Sequence, residues 1–120
     1  MKILIVDDSK AMRRIVTRTL RQAGFGNHTL VEAENGKQGL AAVMQGGVDV
    51  VLSDWNMPEM NGIDFLRALR AAGKFVRFGF VTSESTPEMR STATDAGAAF
   101  LIAKPFTPED FQAALGALAA

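Results

Sequence analysis

Residues 1–9 read MKILIVDDS: four apolar residues in a row, Ile3 to Val6, then two adjacent aspartates. A short apolar run of this kind is a buried strand, here over KILIV (2–6). Two carboxylates fixed side by side repel each other unless a cation lies close by. Asp7 and Asp8 therefore pose a question that the rest of the chain must answer: what positive group or ion meets them at the strand's end?

Working outward from that strand, apolar runs and helical patterns alternate. Residues 9–23 carry Met12, Ile15, Val16, Leu20 and Ala23 at helical spacing. TLVEA (29–33) is a second strand, followed by a helix over 35–45 with Leu40, Val43 and Met44 on one face. VDVVLS (48–53) is a third strand, and a helix over 61–72 is built on Ile63, Leu66 and Leu69. VRFGFVT (76–82) is a fourth, weakened by Gly79, which leaves room for a bulky neighbour. A helix over 87–96 opens on Pro87, suited to a first turn. AAFLIA (98–103) is a fifth strand, and the helix over 108–119 turns Phe111, Leu115 and Leu118 inward.

Five strand–helix pairs joined by short loops make a parallel sheet covered on both faces, an α/β doubly wound domain. At 120 residues the chain suits a single domain with a real core. Lys plus Arg and Asp plus Glu balance at 13 each, so no global field draws it to nucleic acid or a membrane. The absence of cysteine excludes disulfides, thiolate catalysis and cysteine-bound zinc. No apolar run suits a signal peptide or a bilayer span, so a cytoplasmic protein is expected.

In doubly wound sheets, ligands bind at the carboxyl ends of the strands. There the first strand offers Asp7 and Asp8, the third Asp54, the fourth Thr82 and Ser83, and the fifth Lys104 and Pro105. The second offers nothing. For these groups to converge, strands 1, 3, 4 and 5 must be neighbours with strand 2 at an edge, which is the doubly wound order 2-1-3-4-5. Three carboxylates suit Mg²⁺, a hard cation that takes oxygen ligands and keeps room for a phosphate oxygen. The lysine is superfluous for metal alone, but fits a phosphoryl group, with the Thr82 hydroxyl completing its hydrogen bonds. An aspartate can itself be the nucleophile. The opening pair then has a role: it holds the metal that lets an anionic carboxylate meet an anionic phosphate.

Asp7-Asp8, Asp54 in LSDWNMPEMNG, Thr82 in FVTSES and Lys104-Pro105-Phe106 together resemble the signature of a response-regulator receiver domain, of flavodoxin-like five-stranded fold, across residues 1–120. SDWNMP and KPF resemble more narrowly the single-domain chemotaxis type. The resemblance implies that Asp54 accepts a phosphoryl group from a histidine kinase. It implies Mg²⁺ on Asp8, Asp54 and the Asn56 backbone carbonyl, with Asp7 acting through water. Lys104 would pair with the phosphoryl oxygens, Thr82 would be drawn to them, and the Lys104–Pro105 peptide would be cis. Asn56 and Glu84 stand where such proteins gate the attacking water, implying a short-lived phosphoryl state.

A kinase, a downstream target such as the flagellar motor switch, and a phosphatase are the implied partners. The protein would catalyse only its own phosphorylation and dephosphorylation. Phe100 is taken as the fifth-strand switch residue coupled to Thr82, although the chain contains no tyrosine and this ring has no hydroxyl.

Two other readings compete: a receiver cut from a longer regulator with an output domain, and a pseudo-receiver that binds partners without phosphorylation. A haloacid-dehalogenase-type phosphohydrolase would need a DxD strand end and a cap insertion, and nucleotide binding a glycine-rich loop that is missing. Taken singly, Asp7-Asp8-Ser9 would be a helix cap. The basic residues Lys10, Arg13, Arg14, Arg18 and Arg21 read as a solvated helix face, and His28 as a surface residue. Residues 87–97, with Met89 their one large apolar side chain, make a weakly held helix that phosphorylation could bias.

Overall fold

The computed structural model describes residues 1–119, and side-chain surroundings as far as Gly116. Five parallel strands, β1 (Lys2–Val6), β2 (Thr29–Ala33), β3 (Val50–Ser53), β4 (Arg77–Thr82) and β5 (Phe100–Ala103), lie in the order β2-β1-β3-β4-β5. The expected order is therefore the observed one. Helices α1 (Lys10–Leu20), α2 (Gly36–Met44), α3 (Gly62–Ala71), α4 (Pro87–Asp95) and α5 (Pro108–Ala119) connect and close the strands. None of the described helices is long and apolar enough to cross a membrane.

Short polar side chains start all five helices, Thr107 doing so for α5 by accepting the Asp110 N–H. Ser9, Asn35, Asn61 and Thr86 each accept the backbone N–H three residues on, satisfying a donor that the first helical turn leaves free. The long helix expected over 9–23 ends sooner. After Leu20 the chain makes a wider turn over Arg21–Phe25, and Gly24 breaks it at φ +99°, a conformation that side-chain-bearing residues avoid.

The strands divide their side chains by alternation. Leu4, Val6, Val51, Phe78 and Phe80 face one core with Ile63, Phe65, Leu66 and Leu69 of α3 and Val43 of α2. Ile3, Ile5, Val50, Leu52, Val81 and Ile102 face the other with Val16 and Leu20 of α1 and Phe111 and Leu115 of α5. Two helical faces differ from expectation. Met44 is 51% exposed because Gly36, Gly39 and Val43 form the buried face of α2, and Ile15 is 38% exposed at the rim of α1. The side chain of Leu118 lies outside the described residues.

Gly79 has a definite structural reason. It is the register partner of Phe100, and a Cβ built on Gly79 would fall 2.0 Å from Phe100 Cε1 and 2.2 Å from Cζ. The ring of Phe100 occupies the place where a fourth-strand side chain would stand.

Candidate functional site

The ends of β1, β3, β4 and β5 each deliver one part of the site. β1 runs into Asp7, whose N–H donates to the Ala33 carbonyl, and β3 into Asp54, whose N–H donates to the Val6 carbonyl. The sheet ladder thus continues one residue past each strand and fixes both aspartates at the same level. Beyond β5, the Lys104 N–H donates to the Thr82 carbonyl at 2.8 Å, tying β4 and β5 together at their ends.

The side chains converge as the strand order requires. One carboxylate oxygen each from Asp7, Asp8 and Asp54 lies within 4.8 Å of the others. Lys104 Nζ stands 3.4 Å from Asp7 Oδ2 and 3.6 Å from Asp54 Oδ1. Asp7 is buried, Asp54 partly buried and Asp8 exposed, so the cluster opens to solvent on the Asp8 side. Asp7 Oδ1 accepts the Ser9 N–H and Asp54 Oδ1 accepts the Trp55 N–H.

One ammonium against three carboxylates leaves a formal charge of −2. The Asp54 carboxyl is pushed above its ordinary value, by burial first. Lys104 pulls it back, Asp7 pushes it up again, and the smaller effects of the Trp55 N–H and Asp8 lower and raise it respectively. All-oxygen donors, a twofold charge deficit and one open side are what a hard divalent cation needs, so the residues present fit Mg²⁺.

The loop between β3 and α3 is held close to Asp54. Gly62 N–H donates to the Trp55 carbonyl at 2.7 Å, and a Cβ on Gly62 would lie 2.2 Å from the Asp54 carbonyl oxygen. The Trp55 ring leans on Phe80 with centroids 4.7 Å apart. Thr82 is fully buried, and its Oγ1 accepts the Glu84 N–H at 3.3 Å. Asn56 and Glu84 themselves are exposed on loops beside the cluster. The Lys104–Pro105 peptide is cis.

Two expectations need correction. Phe100 does not share a face with Thr82: it pairs with Gly79 and packs in the core with Val81 and Ile102, whereas Thr82 alternates with Phe80 and Phe78 on the opposite face. The β5 residue on the face of Thr82 is Leu101, the register partner of Phe80. Arg13 is not part of a solvated basic face. It is 7% exposed, with Nε 2.8 Å from Glu32 Oε1 and Nη1 donating to the Asp7 main-chain carbonyl at 2.6 Å.

The family model for the response regulator receiver domain matches residues 3–116. The chemotaxis protein CheY of Pseudomonas aeruginosa is 42% identical over 111 residues, 91% of this chain and 88% of that one. The chemotaxis protein CheY-3 of Vibrio cholerae is 45% identical over 109 residues, 89% of this chain and 82% of its own length. The solved structure of Vibrio cholerae chemotaxis protein CheY4 matches with a TM-score of 0.85 at 35% identity, covering 97% of this chain and 96% of that one.

Proposed function

This chain belongs to the response regulator receiver domain family, and from that premise we propose that it is a chemotaxis-type phosphorylation switch whose acceptor is Asp54. The observation that carries the reading is the charge deficit at the strand ends, three carboxylates against Lys104 alone. Asp8, Asp54 and the Asn56 carbonyl would hold Mg²⁺, with Asp7 reaching it through water. When bound, the ion neutralises charge between the acceptor carboxylate and the incoming phosphate.

The residues' own parts follow from their places. An Asp54 carboxylate oxygen attacks the phosphorus of a kinase phosphohistidine, the P–N bond breaks, and the imidazole nitrogen keeps the electron pair. Lys104, freed from sharing two carboxylates, pairs with the phosphoryl oxygens. The Thr82 hydroxyl, now held only by a 3.3 Å contact with the Glu84 N–H, donates to another of them. An apolar groove lined by Met12, Ile15, Thr19, Pro105 and Phe106 runs up to Lys104 and offers the phosphodonor a surface. Asn56 and Glu84, exposed beside the cluster, order the water that later removes the phosphoryl group. Leu101, on the face of Thr82, carries the movement of that threonine towards α4, where a downstream target binds.

Trp55, the only tryptophan and the neighbour of Asp54, reports on all of this. Its fluorescence should change on adding Mg²⁺ and change again, reversibly, on adding acetyl phosphate. Asp54→Asn should lack the second change. In Asn56→Ala or Glu84→Ala the return to baseline should differ in rate from wild type by several-fold. Silence to both additions in the wild type would replace this reading with a pseudo-receiver that binds partners without phosphorylation.

A further inference from the structure

Arg13 is the buried cation that the phosphoryl-acceptance reading leaves without work. Its guanidinium reaches two partners at once, the Glu32 carboxylate on β2 and the main-chain carbonyl of Asp7 past the end of β1. That carbonyl belongs to the Asp7–Asp8 peptide, so holding it fixes the plane from which both aspartates leave the strand. We propose that Arg13 is a positioning residue for the carboxylate pair, setting the Asp7–Asp8 peptide so that the divalent cation finds its ligands already in place.

Three observations support the assignment. The contact to the carbonyl is short, 2.6 Å, and buried, and a guanidinium's rigid fork suits two acceptors at fixed positions. The Asp7 side chain is constrained independently by the Ser9 N–H and Lys104, so what Arg13 adds at this turn is an anchor on the main chain. Glu32 also cancels the charge of Arg13. The site therefore keeps its −2 for the metal although a guanidinium sits directly behind it. A lone arginine there would repel the ion it was helping to seat.

The inference rests on the Mg²⁺ reading of the cluster, and the test separates the two. Mg²⁺ is titrated into the full chain by Trp55 fluorescence and, independently, by isothermal calorimetry, for wild type, Arg13→Gln and Arg13→Lys. Loss of partners that orient metal ligands characteristically weakens affinity by about 10- to 100-fold, so Arg13→Gln should bind about tenfold more weakly. Arg13→Lys keeps the charge but cannot hold both acceptors, and should be weakened by a few-fold.

The sign is diagnostic. Arg13→Gln removes a positive charge near the site, so a residue acting only through its charge would, when lost, tighten Mg²⁺ binding. A residue serving only the fold would lower the unfolding temperature and leave the affinity alone. Either result overturns the proposal, as does wild-type affinity in Arg13→Lys if Arg13→Gln does not fold. Absence of Mg²⁺ binding in the wild type itself would instead overturn the reading beneath it, and the proposal with it.

Discussion

Gly79→Ala should be the most informative single change away from the acidic cluster. The added methyl would stand 2.0 Å from a ring carbon of Phe100, against an ordinary carbon–carbon contact of about 3.5–4.0 Å, so the ring must retreat by about 1.5 Å or more. A rigid aromatic ring cannot yield as a flexible chain end can, which places the overpacking near the upper part of the usual range, about 3 kcal/mol. Against this, alanine in a strand interior is better than glycine by about 0.5–1 kcal/mol. The net loss is about 2 kcal/mol. With a urea dependence near 2 kcal/mol/M the unfolding midpoint should fall by about 1 M.

The assay is urea unfolding followed by Trp55 fluorescence, repeated for Phe100→Ala and the double variant. Phe100→Ala removes the ring, so in that background the extra methyl enters free space, and the two changes should be non-additive by about 3 kcal/mol, the overpacking cost, in the favourable direction. Phosphoryl acceptance should be kept, because Gly79 faces the core opposite Thr82. Additive costs, or a Gly79→Ala protein as stable as wild type, would refute the claim that the ring sits on Gly79.

Two further changes probe the site. Asp54 has its carboxyl raised in the folded state, so its contribution to stability is full below the ordinary carboxylate range and is lost as pH rises through the raised value. Metal-free Asp54→Asn should accordingly melt above wild type at pH 7 in scanning calorimetry, with the gap closing towards pH 4; equal melting at pH 7 would contradict it. Mg²⁺ at ten times its dissociation constant should recover about 1.4 kcal/mol for wild type and less for the variant. Gly62→Ala would press a methyl against the Asp54 carbonyl oxygen, which as backbone cannot move aside alone. A loss of about 3 kcal/mol in urea unfolding is expected, with slower phosphoryl acceptance, and unchanged values of both would mean the loop has slack there.

Most of the sheet was legible in the sequence because four of the strands are built on apolar runs, TLVEA with its exposed Thr29 and Glu32 being the weaker one, and the order followed from requiring Asp7, Asp54, Thr82 and Lys104 to meet. What could not be read was phase. AAFLIA has no polar residue to mark which side chains face which core, so nothing on that strand distinguishes Phe100 from Leu101 as the neighbour of Thr82. The signal lay on the adjacent strand: Gly79 is three residues before Thr82 and therefore on the other face, and a glycine there asks for a large partner. Arg13 was hidden for a different reason. It stands three before Val16 and seven before Leu20, on the core stripe of α1 and apart from the exposed Lys10, Arg14, Arg18 and Arg21, but its charge argues for solvent, and only the register placing Glu32 beside Ile5 explains how a guanidinium can be buried there.

These pieces bear on how a binding event at the strand ends could be felt elsewhere. The carboxylates are held from behind, Asp7 through Arg13, Ser9 and Lys104, and Asp54 through the Trp55 N–H and the loop closed at Gly62. Asp7 and Asp54 cannot relieve their repulsion by spreading, although the exposed Asp8 can turn outward, so a cation or phosphoryl group that changes the charge between them is answered by the parts that are loosely held. The Thr82 hydroxyl has one long hydrogen bond, and α4 buries only Ala93. Stiff supports on the β1 and β3 side and weak ones on the β4 and α4 side give a change of charge one direction in which to act. On the proposed reading, Leu101 lies in that direction and Phe100, locked over Gly79, does not. A Leu101→Ala protein should then accept phosphate normally yet respond less at α4, seen as a smaller phosphorylation-dependent change in amide exchange there. An undiminished response would remove Leu101 from the path.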